Sequence, residues 1–599
     1  MKMKVAEYIA DFFVKKGVTD LFTVTGGGAM HLNDAFGHKE EIHSIYNHHE
    51  QACSIAAEGY ARLTGRVAAV CVTSGPGGTN AITGVLGGWQ DSIPMFIVSG
   101  QVKRETTTWS TDVPLRQLGD QEFQIVDTVK TMTKYAHMVT EPTEIRYHLE
   151  KAWYLCMNGR KGPVWLDIPL DVQAAPIETE ELAGFDPTEV EKKENPIYDT
   201  SLNADILDKI SKARKPVILA GTGIRLGNAY DEFLQLIDKL GIPVVTAWNA
   251  HDLLWDEHPL FCGRPGTVGT RGGNFVVQNA DLLLVLGCRM NIRQISYNYH
   301  DFAKNAYKIV VDIDEAELRK PTVNVDLKIH ADVKDMMRSL SEADYQGATE
   351  EHKSWLNWAR TINQKYPATL PSYYDKKTPI NPYVFITKLS EHLKEGDDVI
   401  CGNGSACVIT FQAMEIKREQ RLFTNSGCAA MGYGFPAALG VCVAEKDKRV
   451  ICIDGDGSFQ MNLQELQTVM YNRLNMKLII INNNGYHSIR QTQTNLFKGK
   501  PLVGVCDGNG LSFPDFEKLS YAYGMPYIRI DSLDNVDVGL EQLLASDGPV
   551  MCEVVVDETQ NFEPKLSSKV LPDGKIVSPP IDDMYPFLPK EEYEQNHRV

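Results

Sequence analysis

No apolar run in this 599-residue chain is long enough to cross a bilayer. The N-terminal MKMKVAEYIADFFVKKGV has the pattern of an amphipathic helix broken by charge, not a signal-peptide core, so a cytoplasmic, membrane-free protein is expected. Excess basic charge is lacking too. Against 78 Asp and Glu stand 60 Lys and Arg, a formal net charge of −18, which argues against binding to a nucleic-acid backbone. The twelve cysteines contain no CxxC pair or His-rich partner spacing, which excludes the usual zinc and disulfide frameworks. Cys71 in AAVCVTS and Cys452 in RVICIDG read instead as small buried hydrophobes. A complete GxGxxG with a downstream ribose-binding acid is missing, which counts against a dinucleotide-dependent dehydrogenase.

What is present is alternation. Short apolar strands and helical patterns follow one another for most of the length, which predicts an α/β protein of doubly wound parallel sheets. At this length two to four domains are expected, and three blocks can be drawn. The first, 1–182, contains RVAAVCV, PMFIVSG and GPVWLDIPLDV. A charged, aperiodic stretch from about Gly184 to Ser201 reads as a linker. The second, 200–345, contains KPVILAG, IPVVTAWN, ADLLLVLGCR and KIVVDID. A helical pattern, EEHKSWLNWARTINQKY, leads to the third, 378–560, with DDVICGNG, RVICIDGDG, MKLIIINNN and PVMCEVVV. Residues 561–599 form an extended tail packed on the body.

In the third block, GDGSFQMNLQELQTV follows one strand and INNNGY ends another. Asp456 and Asn483 lie 27 positions apart, room for a helix between two parallel strands. Both then emerge at carboxyl ends of strands, where open α/β sheets bind ligands. Mg²⁺ takes hard oxygen donors and shares them with phosphates. Asp456 offers a carboxylate, Asn483 an amide oxygen and Gly485 a main-chain carbonyl. Gly457 and Ser458, opening a helix, offer N–H groups to a diphosphate. A lone GDG or Asn-Asn is usually a turn; the ordered pair after two buried strands is far more specific.

That pair, with TGGGAM, HHEQACSIAAEGYARLTG, TSGPGGTN, DSIPMFIVSGQV and SGCAAMGYGFPAALG, resembles the acetolactate synthase group of the pyruvate-oxidase-type thiamine diphosphate enzymes over residues 1–560. The resemblance implies an N-terminal pyrimidine-binding domain, a central domain and a C-terminal diphosphate-binding domain. It implies thiamine diphosphate and Mg²⁺ as cofactors, with Gly455, Tyr486 and the Asn403–Gly404–Ser405 turn among the residues around them. Glu50 matches the acid that engages ring nitrogen N1′; a poorly solvated carboxyl suits that task, although a bare Glu there also reads as a helix-start carboxylate. Met431 matches the bulky side chain that bends the cofactor, and the Ala429 carbonyl matches the acceptor of its 4′-amino hydrogen. Gly27, Gly28 and Gln121 match groups near the reacting carbon, the glycines being as well explained by turns. In this family the active site lies between subunits, which implies a homo-oligomer, a C2 dimer at least.

The implied reaction is decarboxylation of a 2-keto acid, pyruvate first, and ligation of the two-carbon unit to a carbonyl acceptor. The acceptor half departs from the family. Asp120 stands where those enzymes carry Phe, Thr492 where they carry Trp, and His487 and Ser488 replace Gly and Met, while Arg289 is retained. Polar walls favour a polar acceptor such as a keto sugar over an alkyl keto acid. In the central block, GTGIRLG, RPGTVGTRGG, CRMNIRQ and VDIDEAEL occupy stretches that line FAD in the family, though Met290, Asn291 and Ile292 depart from it. The rival readings are acetolactate synthase proper, a simple decarboxylase, a carbon–carbon lyase, an oxidase and a non-catalytic cofactor-binding subunit; the last is expected to lose Glu50 or the Asp456–Asn483 pair.

Overall fold

The computed structural model describes residues 2–190, 196–570 and 574–597. Residues 191–195, inside the expected linker, lie outside the described residues. The amphipathic N-terminal pattern splits in two: Lys2–Lys4 is a strand paired antiparallel with Pro176–Glu178, and the helix runs over Val5–Lys15.

Three parallel sheets carry the chain. The first has the spatial order His43–Tyr46, Asp20–Thr23, Ala68–Val72, Met95–Gln101, Val164–Pro169, Tyr135–Met138. Ala68–Val72 and Met95–Gln101 are buried at every residue, as strands covered by helices on both faces must be. The central sheet runs Val244–Thr246, Pro216–Ala220, Leu282–Leu286, Tyr307–Asp312, Leu327–His330. The third runs Arg421–Phe423, Asp398–Cys401, Val450–Gly455, Met476–Asn482, Val550–Val555, Tyr527–Ile530. Ranked by position in the sequence, the strands of the first and third sheets follow the same order, 2-1-3-4-6-5. The two domains are topological duplicates.

Duplication sets how they meet. In each, one helix connects the second strand to the third: Glu50–Thr64 in the first domain and Gly434–Ala444 in the last. These two helices pack directly on each other. A Cβ at Gly59 would strike the backbone of Ala437, and one at Gly440 the backbone of Ala56, so glycine permits the close approach. Side chains of both domains merge into one apolar core containing Ile55, Tyr60, Phe435 and Leu439.

The helix Glu350–Lys365 forms as expected, capped by Thr349. The tail is less extended than expected. It crosses from the third domain to the central one, where Asn274 donates to the Ile581 carbonyl (3.0 Å) and Met584 is fully buried, and it ends in the helix Lys590–Gln595. Ten of the twelve cysteines are buried, and all are free thiols. No helix among the described residues is long and apolar enough to cross a membrane.

Candidate active site

The third sheet reverses its order between Asp398–Cys401 and Val450–Gly455, and the loops leaving those strands form a crevice there. Asp456 follows the central strand, 2% exposed, and its Oδ2 accepts one hydrogen bond from Gly485 N (3.0 Å). Gly485 adopts φ +146°, and a side chain there would strike the Val505 carbonyl, so this turn requires glycine. Asn483 Nδ2 donates to Ser405 Oγ (2.9 Å), while Asn483 Oδ1 is buried without a partner. Burial pushes the Asp456 carboxyl up to about 7, against the opposing pull of the Gly485 and Gly457 N–H groups. A buried carboxylate beside an orphaned amide oxygen is a donor set that a hard cation completes.

The remaining expected residues of this half gather around it. Ser458 Oγ accepts from Gly432 N (3.0 Å), and Asn403 Nδ2 donates to the Ala429 carbonyl (3.2 Å). Gly404 turns the chain at φ +61° into the helix Ser405–Ala413. The Tyr486 ring closes over Gly457, and Gly455 ends its strand with open space beside it. One expectation fails: no regular helix opens at Gly457–Ser458. A 3₁₀ run, Phe459–Glu465, follows instead, broken at Asn462 (φ −136°), before the helix Leu466–Tyr471. Asn462 is held out of helical geometry because its Nδ2 donates to the Gly432 carbonyl (2.8 Å) and to Gln51 Oε1 (3.1 Å).

Glu50 opens its helix beneath an N-cap by His49. Its Oε2 accepts from Asn80 Nδ2 (3.0 Å), and within the single chain it is half-buried. Both flanks of Glu50 are tied to the third domain. Gln51 meets Asn462, and fully buried Glu465 accepts from Asn47 Nδ2 (2.9 Å), His48 N (3.0 Å) and Thr468 Oγ1 (2.6 Å). The helix Pro76–Asp91 spans the same seam: its Asn80 holds Glu50, while Thr83, Gly84 and Gly87 share a small cavity with Cys428 and Ala430, next to Ala429 and Met431. Asn80, Asn462 and Glu465 were not singled out from the sequence; the last two lie inside the quoted MNLQEL, which carries no mark of a cross-domain role.

Gly27 has open space beside its Cα, whereas Gly28 is pressed on Thr73 and Ser74. Gln121 is exposed in a left-handed conformation (φ +61°), its carbonyl against Gly75. The loop holding it is fixed by the neighbouring Glu122, which accepts from Thr108 Oγ1 (2.8 Å), Leu118 N (2.7 Å) and Gly119 N (3.3 Å).

The four residues expected to form an acceptor pocket are not joined by any hydrogen bond or ion pair among the described residues. Asp120 is exposed. Thr492 is exposed, and its hydroxyl donates to the Ser488 carbonyl of its own helix (2.8 Å). Arg289 stands 3.7 Å from Asp91, at the mouth of a central cavity. His487 is 5% exposed beneath Phe562 of the tail (ring centroids 5.1 Å), against the main chain at Glu558 and Gln560, and burial holds its pKa down at about 4.

That central cavity, about 270 Å³, is lined by Gly221–Gly223, Gly287–Asn291 and Asp312. Asp312 ends its strand with its carboxyl raised to about 6 by burial. Arg160, from the first domain, bridges Asp314 (2.8 Å) and Glu317 (3.0 Å) at the rim.

Comparison with known proteins agrees with this three-part layout. Three family models match: the thiamine pyrophosphate enzyme N-terminal TPP binding domain over residues 3–130, the central domain over 204–340 and the C-terminal TPP binding domain over 402–554. The probable acetolactate synthase large subunit of Methanocaldococcus jannaschii is 32% identical, across 97% of this chain and 98% of that protein. The acetolactate synthase large subunit of Lactococcus lactis is 31% identical, across 94% of each. The acetolactate synthase isozyme 1 large subunit of Escherichia coli is 30% identical, across 94% of this chain and 95% of its own length.

Proposed function

The chain belongs to the thiamine pyrophosphate enzyme family, together with the acetolactate synthase large subunits, and from that premise we propose that it decarboxylates pyruvate and ligates the two-carbon unit to a carbonyl acceptor. The observation that carries this reading is the orphaned Asn483 Oδ1 beside buried Asp456, tied through Ser458, Gly432 and Asn462 to the flank of Glu50. When bound, thiamine diphosphate would supply a nucleophilic carbon and an electron sink for decarboxylation.

The chain's own residues do the rest. Asp456, Asn483 Oδ1 and the Gly485 carbonyl would hold Mg²⁺ for the diphosphate. Glu50, oriented by Asn80, shares a proton with ring nitrogen N1′. Ala429, with its carbonyl, and Met431, with its side chain, fix the pyrimidine and bend the cofactor. Gln121 orients the substrate.

Three finer points complete the proposal. The central cavity would hold the adenosine diphosphate half of FAD, with Asp312 among the residues lining it; flavin absorbance of the purified protein tests this independently of turnover. The working form is a homo-oligomer. Exposed Trp109, Leu118 and Phe123, together with Leu496 and Phe497 at the end of the helix His487–Leu496, support a partner surface, and sedimentation tests it. The acceptor is polar, with a keto sugar as model. The polar side chains at Asp120, Ser488 and Thr492, where the family carries apolar ones, support a hydrogen-bonding acceptor. Mass spectrometry of products from pyruvate, with and without keto-sugar acceptors, is the test. Efficient acetolactate formation from pyruvate alone, with no ligated sugar, would leave acetolactate synthase proper as the function.

A further inference from the structure

The loop that carries Gln121 is folded on itself through Glu122, yet its bond to the first sheet runs through one side chain. Gln101 ends the strand Met95–Gln101 and is 2% exposed. Its Nε2 donates to the Phe123 carbonyl (2.8 Å), two residues past Gln121, and to Asp167 Oδ2 (2.9 Å). Its Oε1 accepts from Val102 N (3.0 Å), so both ends of the amide are engaged. Among the described residues, no other hydrogen bond joins residues 114–124 to a strand of that sheet.

Asp167 holds the far end of this bridge. It lies on the neighbouring parallel strand, opposite Ser99, so Ser99 and Gln101, two apart, both reach it from one face. Ser99 Oγ donates to Asp167 Oδ1 (2.6 Å) and accepts from Trp165 Nε1 (2.8 Å). Asp167 is 1% exposed and makes no ion pair among the described residues, and burial pushes its carboxyl up to about 7 against the pull of the Ser99 and Gln101 bonds. A carboxylate only accepts, so it decides which end of the Gln101 amide faces Phe123. Turned over, the amide would set Oε1 against both the carboxylate and the Phe123 carbonyl.

Gln121 depends on such anchoring. It is not glycine, yet it holds φ +61°, a conformation that persists where the surroundings impose it. On one side Glu122 and Phe123 are bonded; on the other the Gln121 carbonyl rests on Gly75, where a Cβ would strike it. Gly75 precedes the helix Pro76–Asp91, whose Asn80 holds Glu50, so the placement of this loop also sets Gln121 relative to Glu50.

We propose that Asp167 is a positioning residue: through Gln101 it fixes the Phe123 carbonyl, and with it the direction in which Gln121 meets the substrate. The inference rests on the substrate-orienting role proposed for Gln121.

The test uses enzyme saturated with thiamine diphosphate and Mg²⁺. Carbon dioxide release from pyruvate gives kcat and KM, and fluorescence titration reads cofactor affinity separately. Asp167→Ala should lower kcat/KM roughly tenfold or more, with cofactor affinity within about twofold of wild type. Asp167→Asn, which keeps an acceptor for Gln101, should bring kcat/KM back to within about threefold. Gln101→Met breaks the bridge and leaves Asp167 in place, and it carries the same test if the alanine variant does not fold. Combined with Gln121→Ala, itself impaired, either substitution should add little, because one chain of contacts is not broken twice. Normal kcat/KM in folded Asp167→Ala and Gln101→Met beside an impaired Gln121→Ala overturns the inference, as does a fully additive loss in the double variant. A normal Gln121→Ala is a different failure, which removes the orienting role of Gln121 itself and this inference with it.

Discussion

Replacing Asp456 by Asn should change stability in opposite directions with and without cofactor. Burial raises the folded-state carboxyl from 3.8 to about 7. Each pKa unit corresponds to about 1.4 kcal/mol, so holding this group ionised at pH 8 costs up to about 4 kcal/mol. The sign follows from proton binding. Between the unfolded and folded pKa values the native state holds the extra proton, so the cofactor-free protein loses stability as pH rises from roughly 4 to 7 and is level above that. Asn keeps an acceptor for Gly485 N but turns an amide N–H toward Gly457 N, an opposed pair costing about 1 kcal/mol. The cofactor-free variant should therefore be more stable at pH 8 by about 2–3 kcal/mol, several degrees in the unfolding of a domain this size. Saturation with Mg²⁺ and thiamine diphosphate reverses the order. A ligand at a thousand times its Kd adds about 4.1 kcal/mol to the wild type, more than that difference, and the variant, without a metal carboxylate, gains little. Scanning fluorimetry of both proteins at pH 5 and 8, with and without cofactor, reads all four states. If the cofactor-free variant were the less stable at pH 8, or gained the same cofactor shift as wild type, the metal-site reasoning would be wrong.

Glu50→Gln should bind the cofactor within a few-fold of wild type by fluorescence titration, while turnover falls roughly 10²–10⁴-fold; near-normal turnover removes the acid's assigned role. Glu465→Ala strands His48 N and Asn47 Nδ2 inside the seam and should lower stability by about 2–4 kcal/mol, weakening cofactor affinity as the Glu50 turn loosens. Unchanged affinity in that variant would show that the clamp is only structural. Gly440→Ala pushes a methyl into the Ala56 backbone and should cost at least about 1–3 kcal/mol in thermal unfolding, and a neutral result would contradict the close helix crossing.

The strands legible in the sequence were those with unbroken apolar runs, such as Leu282–Leu286 and Met476–Asn482, because burial on both faces leaves no polar interruption. Among edge strands Val244–Thr246 was legible within IPVVTAWN, but others were not. His43–Tyr46 and Leu327–His330 are partly exposed and short, and their pairing comes from neighbours distant in sequence. The placement of Asp456 and Asn483 at the carboxyl ends of two neighbouring strands was readable because those strands are apolar and buried. The acceptor pocket was not. Thr492 and His487 share one helix, yet one side chain faces solvent and the other lies under Phe562, from a tail whose path no local pattern encodes. The 3₁₀ break at Asn462 was hidden for a similar reason, since contacts across the seam override local helical preference.

The duplicated strand order also explains why so few residues from two distant segments can build one site. Glu50 begins the helix after the second strand of the first domain, and Met431 stands just before the corresponding helix of the last. Two related domains packed through those helices bring the carboxyl end of each sheet toward a shared seam. On the proposed function the first domain would supply the acid for the pyrimidine and the last the metal ligands and the prop for the ring, each coenzyme being shared between two subunits. Neither domain alone would then hold the whole coenzyme, and its grip would depend on how rigidly this seam fixes the two halves of each subunit. Substitutions at Asn462, Glu465 or Gly440, none of which needs to touch the coenzyme, should therefore weaken its binding along with the packing between the domains.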